Sequence, residues 1–329
     1  MEHLRSGLAR RSGTVAALAA LSLASAACGG SGSETTSDGL HKITTTTMTV
    51  TGGHWRELVA QQKGFFKEHG LQVDETTVSP QVSVDALISG SADLGLGDTA
   101  KLVQVVEKGG DVEIVGQGVD RSGNSFVTAK DITRISQLKG KTIGLANDVD
   151  PYNTIVDKFL TDGGVDPSEV HFVYGQGSSD RAGALQGGAI QATLLPPPTD
   201  SSLEKEGYHI LGKTLDVAPL MSRSSILANT SWAKSNPDLV KDYLAALHEA
   251  AEWLYDPANK KAAIKMLSAD TDTSQADAEE AYQEYVVAKQ WDTDTCVNTK
   301  AIKNLLASLK QLDAVDDTDP STYMTTAYC

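Results

Sequence analysis

The stretch ITTTTMTVTGGHWRELVAQQKGFFKEHGLQVDET, residues 43–76, decides the fold. Its first eight residues are rich in β-branched side chains and predict a strand. Gly52 and Gly53 then turn the chain into a helix, Gly70 ends that helix, and residues 71–76 predict a second strand. A strand, a helix and a second strand in this order form a βαβ unit, which predicts parallel pairing with a right-handed crossover.

The alternation of strands and helices continues to residue 228. We expect further strands at residues 92–97, 112–118, 142–146, 170–174, 190–195 and 224–228, with helices at 82–88, 99–108, 151–161 and 179–186. A turn near residues 120–124 separates two such series, and each predicts its own doubly wound, mostly parallel sheet. The chain is therefore expected to form an α/β protein of two lobes with a cleft between them.

From residue 231 the sequence is helical. Asn236 and Pro237 give a helix start, and an amphipathic stripe follows them. Such helices need an apolar surface to cover, and we expect them to pack on lobe one. Residues 41–127 and 228–329 are assigned to lobe one, and residues 128–227 to lobe two.

The chain begins with features of an export signal. Three arginines precede an apolar stretch over residues 14–27 that ends in small side chains, so we expect residues 1–27 to be a signal peptide. Cys28 follows directly, in a position that resembles a bacterial lipobox, where the cysteine is lipidated. Residues 28–40 are rich in Gly, Ser and Thr and predict a flexible tether. The alternative is an ordinary secretory signal with Cys28 as a chance thiol.

The charge of the chain excludes several partners. It has 28 basic and 43 acidic residues; without residues 1–27, which hold three arginines and one glutamate, 25 and 42 remain and the formal charge is −17. Nucleic acids and anionic lipid surfaces favour clustered Lys and Arg, so neither is an expected partner. We expect a monomer held near a membrane only by its lipid.

Cysteines and histidines give no pattern of a catalytic or metal site. Cys296 and Cys329 form a pair that we expect to be a disulfide outside the cytosol, with two free thiols as the alternative. The seven histidines are scattered, and neither H-E-x-x-H nor G-x-S-x-G occurs. We therefore expect no metal, no cofactor and no enzyme activity.

Four segments resemble those of a known family. Residues 63–74 (KGFFKEHGLQVD), 88–100 (ISGSADLGLGDTA), 137–147 (QLKGKTIGLAN) and 185–193 (LQGGAIQAT) follow the order seen in extracytoplasmic substrate-binding proteins of ABC importers. The resemblance is to the branch that serves nitrate, sulfonates, taurine and thiamine-precursor pyrimidines. It implies a type II periplasmic-binding-protein-like clamp that closes on a small molecule and delivers it to a permease and its ATPase.

Strand ends predict where that molecule binds. In open α/β sheets, ligands lie beyond the carboxyl ends of strands, near helix N-termini. The candidate contacts share this position, and they are His54, Trp55, Gly97, Asp98, Thr99, Asn147, Asp148, Tyr152 and Tyr174. Alternative roles remain open, because Asp98 also suits a helix N-cap and Trp55 also suits the core. Arg181 is expected to face solvent, and Arg223 lies near a lobe crossover.

The acidic strand ends bear on the ligand. Asp98 at one strand end and Asp148 and Asp150 at another would repel an anion. We therefore expect a neutral or cationic nitrogen compound or heterocycle, which the aromatic side chains would also favour. A small anion such as a sulfonate, taurine or nitrate is the alternative. A tethered sensor without transport is the alternative of another class. Localisation is expected to be the outer face of the cell membrane.

Overall fold

The computed structural model describes residues 35–48, 52–78, 80–121, 123–175, 177–197 and 199–329. The predicted signal peptide, Cys28 and the first part of the predicted tether lie outside the described residues. All the described residues belong to one compact unit.

The described residues contain ten strands in two five-stranded sheets. In chain order the strands are β1 (His41–Met48), β2 (Leu71–Val78), β3 (Leu94–Asp98), β4 (Val112–Gln117), β5 (Ser125–Thr128), β6 (Thr142–Gly144), β7 (His171–Val173), β8 (Ala192–Leu195), β9 (His209–Lys213) and β10 (Ser224–Asn229). The first sheet has the order β2-β1-β3-β10-β4, and the second has the order β7-β6-β8-β5-β9. Two sheets whose strands alternate with helices along the chain confirm the predicted α/β fold class.

Helices surround both sheets. They are α1 (Trp55–Lys63), α2 (Phe65–Glu68), α3 (Pro80–Ser89), α4 (Thr99–Val106), α5 (Asn153–Asp162), α6 (Ser178–Gln186), α7 (Thr199–Lys205), α8 (Thr214–Val217), α9 (Thr230–Ser235), α10 (Pro237–Tyr255), α11 (Lys260–Thr271), α12 (Gln275–Ala281) and α13 (Thr299–Gln311). A π-helical turn, Tyr282–Val287, directly follows α12. No helix of the described ranges is both long enough and apolar enough to span a membrane.

Each sheet mixes parallel and antiparallel pairs. Strand β1 pairs in parallel with β2 and β3, as the opening βαβ unit predicts, while β10 runs antiparallel between β3 and β4. In the second sheet, β6 is parallel to β7 and β8, while β5 is antiparallel to β8 and β9. We call the first sheet with α1–α4 and α9–α13 lobe one, and the second sheet with α5–α8 lobe two.

The chain crosses between the lobes twice. The first crossover lies between β4 and β5 and the second between β9 and β10, so the predicted boundaries at 127/128 and 227/228 fall inside β5 and β10. Strands β5 and β9 were not among the predicted strands. Both are short, and β9 is an edge strand with only partial burial, so neither carries a clear alternation of buried and exposed side chains.

The C-terminal helices pack mainly on lobe one. The ring of Tyr243 in α10 stacks on Phe66 in α2, with ring centroids 5.0 Å apart. Helix α13 also reaches lobe two, because Thr154 Oγ1 donates to Ser308 Oγ at 3.2 Å. A disulfide joins Cys296 to Cys329, with Cα atoms 5.4 Å apart, and so attaches the C-terminus to the chain just before α13.

Close packing of β1 against β3 gives a stability prediction. A Cβ atom at Gly95 would clash with the backbone of Thr46 on the neighbouring strand. Gly95→Ala should therefore lower the free energy of unfolding by about 2 kcal/mol or more, measured by urea denaturation.

The matched control is Gly183→Ala. Gly183 is exposed inside α6, and nothing lies within 4 Å of an added Cβ. Alanine there should raise the free energy of unfolding by about 0.5–1 kcal/mol. Equal effects at the two positions would contradict the packing that the structure shows.

Candidate functional site

A cavity of about 460 Å³ lies between the two lobes. The residues that line it lie at strand ends of both sheets, at helix N-termini and in both crossovers. Its lining comprises Gly53, His54, Leu96, Asp98, Val119, Asn124, Leu145, Ala146, Asp150, Tyr152, Asn153, Gly177, Ser178, Arg181, Leu194, Pro196, Arg223, Ser224 and Tyr285. The predicted strand-end location therefore coincides with the interlobe cavity.

Three of the predicted contacts line this cavity: His54, Asp98 and Tyr152. Asn147 instead lines a neighbouring cavity of about 560 Å³, which shares Asp98 and Asp150 with the first. The remaining predicted contacts, Trp55, Gly97, Thr99, Asp148 and Tyr174, line neither cavity.

Trp55 packs in the core of lobe one. Its side chain is fully buried, and its ring meets Tyr282 edge-on with centroids 6.0 Å apart. Trp55 is the first residue of α1, so its side chain turns under the helix while His54, one residue earlier, faces the cavity. The structure therefore places Trp55 in the core of lobe one and not in the lining of the cavity.

Gly97 and Thr99 lie outside the cavity lining and pack against β10 and the second crossover. A Cβ atom at Gly97 would clash with Leu227 on the adjacent strand, so this glycine permits strand packing. The hydroxyl of Thr99 is buried and lies 3.2 Å from Ser222 Oγ and 3.0 Å from Ser225 Oγ. These contacts attach the start of α4 to the second crossover.

Asp148 and Tyr174 lie at the periphery. Asp148 is exposed, and Tyr174 is 45% exposed with its ring stacked on Phe172 at 6.3 Å. The short strands β6 and β7 end earlier than predicted, so the loops after them carry these two side chains away from the cavity.

Two aspartates in the cavity each accept a backbone hydrogen bond with Oδ1. Asp98 Oδ1 accepts a hydrogen bond from the backbone N–H of Lys101 at 2.8 Å and caps α4. Asp150 Oδ1 accepts one from the backbone N–H of Tyr152 at 2.9 Å. Each aspartate thus uses one oxygen to fix its own loop, and its Oδ2 faces a shared partner.

That partner is Arg223. Its Nη1 lies 3.5 Å from Asp98 Oδ2 and 4.0 Å from Asp150 Oδ2, and its guanidinium lies over the Tyr152 ring at 5.4 Å. Burial by itself would lower the pKa of Arg223, but the carboxylates of Asp150 and Asp98 outweigh it and raise the pKa. Arg223 therefore stays charged at any physiological pH.

Arg181 is a cavity residue that the sequence prediction placed in solvent. Its side chain is 7% exposed, and it donates to Thr193 Oγ1 at 3.0 Å and to the carbonyl of Leu194 at 3.1 Å. Burial lowers its pKa, while Asp150 acts in the opposite direction. The signal in the sequence was its position in the first turn of α6, which begins beside the cavity at Gly177 and Ser178.

Lobe one closes the other side of the cavity. His54 Nε2 lies 3.0 Å from Asp270 Oδ2, which links the α1 start to α11. Tyr285 comes from the π-helical turn, and its ring stacks on Trp291 at 5.6 Å. Burial, with a smaller contribution from Asp200 of lobe two, raises the pKa of the neighbouring Glu284 to about 8.

These contacts weaken the reason for expecting a neutral or cationic ligand rather than an anion. The prediction treated Asp98 as an uncompensated negative charge at a helix start, whereas Arg223 lies between it and Asp150. Two guanidiniums and two carboxylates therefore balance in the lining. Helix α6 starts at the cavity without a side-chain cap, which leaves its N–H groups available to a polar ligand.

No cluster of three or more His, Cys, Asp or Glu side chains suited to a metal ion occurs within the part of the chain that the structure describes.

Comparisons with known proteins agree with this architecture. The family described as NMT1/THI5 like matches residues 52–260. A curated relative named "Putative binding protein YtlA", from Bacillus subtilis, is 25% identical over 255 residues, which are 74% of this chain and 75% of that protein.

Solved structures share the fold. The ligand-binding component of an ABC-type import system from Staphylococcus aureus has a TM-score of 0.71 at 12% identity and covers 87% of this chain and 97% of its own. The periplasmic aliphatic sulphonate binding protein SsuA from Escherichia coli has a TM-score of 0.68 at 16% identity, and the match covers 86% of this chain and 97% of that protein. The desulfurization enzyme DSZB has a TM-score of 0.65 at 13% identity, with 87% and 97% covered, so the fold occurs in binding proteins and enzymes.

Asp98 both caps α4 and faces Arg223, and substitutions can separate the two roles. Asp98→Ala removes the cap of α4 and should lower the free energy of unfolding by about 1 kcal/mol, measured by urea denaturation. Asp98→Asn is the matched control, because its side-chain oxygen can still accept from Lys101 N–H. The free energy of unfolding of Asp98→Asn should fall by less than half of the loss in Asp98→Ala. Equal losses in both variants would show that the charge, rather than the cap, stabilises this end of α4.

Proposed function

The chain belongs to the NMT1/THI5-like family, and from that premise we propose that it is the solute-binding component of an ABC importer. It binds a small molecule reversibly between its lobes and delivers it to a membrane permease that works with an ATPase. No bond of the ligand changes in this process. The named binding relative and the ABC-type import protein with the same fold support this role.

The single observation that carries the proposal is the interlobe cavity. Its volume of about 460 Å³ is within the range for small organic ligands. Asp98 and His54 come from lobe one, Tyr152 and Arg181 from lobe two, and Arg223 from a crossover. A molecule bound among them contacts both lobes, so its binding energy favours the closed arrangement.

The charges define the ligand class that we propose. The lining has balanced charge and contains the Tyr152 and Tyr285 rings, which suits a polar, neutral or cationic nitrogen compound with a flat part. The alternative is a small anion, favoured by Arg181 and by the uncapped N-terminus of α6. The sulphonate-binding protein with the same fold supports that alternative.

The proposed location is the outer face of the cell membrane. A lipid on Cys28 and a tether over residues 28–40 would keep the protein near its permease without a membrane-spanning segment. Sensing without transport is the competing role, and a permease gene rather than a histidine kinase gene beside this one would favour import.

A thermal-shift screen tests the ligand class. The chain with Cys28→Ser is heated with simple amines, pyrimidines, sulfonates and inorganic oxyanions, each over a range of concentrations. A compound that binds should raise the unfolding temperature once its concentration exceeds its dissociation constant. At a hundredfold excess, the free energy of unfolding should rise by about 2.7 kcal/mol. Absence of a shift with every compound class would count against the proposed function.

Asp98→Asn tells the two ligand charges apart. Loss of this carboxylate should weaken binding of a cationic ligand about tenfold, because a charged hydrogen bond or ion pair is lost. The same variant should leave an anion's affinity unchanged or raise it. Titration calorimetry of both proteins measures the difference, and Lys139→Gln, a surface variant on lobe two, is the control.

A further inference from the structure

One arginine connects both lobes through the cleft. The backbone of Arg223 is fixed in the second crossover, where its N–H donates to the carbonyl of Val119 in the first crossover at 2.8 Å. Its carbonyl accepts from the backbone N–H of Thr99 at 3.4 Å. The side chain therefore starts from the segments about which the lobes must rotate.

The carboxylates that Arg223 faces are on opposite lobes. Asp98 ends β3 in lobe one, and Asp150 lies in the loop before α5 in lobe two. Both are oriented by backbone hydrogen bonds, so neither can turn to follow the arginine. The Arg223 guanidinium makes no hydrogen bond to any of the described residues, so charge and the Tyr152 ring hold it in place.

We propose that Asp98, Arg223 and Asp150 form an interlobe latch that holds the two lobes together before any ligand binds. If the lobes separate, Asp98 and Asp150 move apart, and Arg223 can remain near only one of them. Opening then costs one ion pair in a partly buried cleft. This proposal concerns the protein without ligand, so it stands independently of the ligand class proposed above.

The latch also divides the cleft. Asp98, Asp150 and Arg223 all line both the 460 Å³ cavity and the 560 Å³ cavity. Arg181 lies on the first side and Lys101 on the second, so neither cavity is without a positive charge when Arg223 moves.

A second ion pair between the lobes is weaker. Lys205 Nζ in α7 lies 3.6 Å from Glu280 Oε1 in α12, but their side chains are 74% and 41% exposed. Exposed pairs are screened by water and salt and contribute little. The Arg223 side chain is 38% exposed, but its partners Asp98 and Asp150 are only 17% and 8% exposed, so these contacts are screened less than the Lys205 pair.

Distance measurements on the ligand-free protein test the latch. Spin labels are attached to Lys67→Cys on lobe one and Lys141→Cys on lobe two, in the full chain with Cys28→Ser. Double electron–electron resonance spectroscopy then gives the distribution of distances between the lobes. Arg223→Gln should lower the ratio of closed to open molecules by about threefold to tenfold, as loss of a partly buried ion pair predicts. Arg223→Lys should restore part of that ratio.

Arg121→Gln is the matched control. Arg121 also lies in a crossover and pairs with Asp292 at 3.0 Å, but this pair does not bridge the cleft. Its removal should leave the distance distribution unchanged. Asp150→Asn, which retains an acceptor for Tyr152 N–H, should reproduce the Arg223→Gln shift and covers the case in which Arg223→Gln fails to fold. An unchanged distribution in Asp150→Asn and in folded Arg223→Gln would overturn the latch.

Discussion

The structure depends on the return of the chain from the second sheet to the first. Strand β10 pairs antiparallel between β3 and β4, so both crossovers lie side by side at the base of the cleft. This pairing makes lobe one discontinuous in sequence. It also places Arg223, at the start of β10, next to the end of β3 and therefore next to Asp98. A two-lobed clamp with a charged floor follows from this one arrangement.

The charged groups of the cleft compensate one another. Asp98 and Asp150 each fix a loop with one oxygen and face Arg223 with the other. A site that looked acidic along the sequence is therefore compensated in space, and Arg181 adds a second buried guanidinium. The groups that we propose to contact the ligand include those that we propose to join the lobes, so recognition and closure would share the same residues.

Sequence patterns were reliable where the element was long or strongly marked. The βαβ unit of residues 43–76, the capping position of Asp98 and the apolar stripe of α10 all follow from periodicity and capping rules. They failed for β5 and β9, because β5 is buried at every position and β9 is partly buried at nearly every position, so neither alternates between buried and exposed side chains. They also misplaced Arg181, because one turn of a weakly amphipathic helix does not show which side faces a neighbouring lobe.

The sequence by itself determined that this chain is a two-lobed α/β protein and that its strand ends surround the cavity. Local spacing is sufficient for that, because strands and helices impose periods of two and 3.6 residues. Only the tertiary structure decided which strand-end residues meet. Trp55 and His54 are neighbours in sequence, yet one is in the core and the other lines the cavity. Asp98, Asp150 and Arg223 are far apart in sequence, and only the two crossovers bring both carboxylates within 4.0 Å of the Arg223 guanidinium.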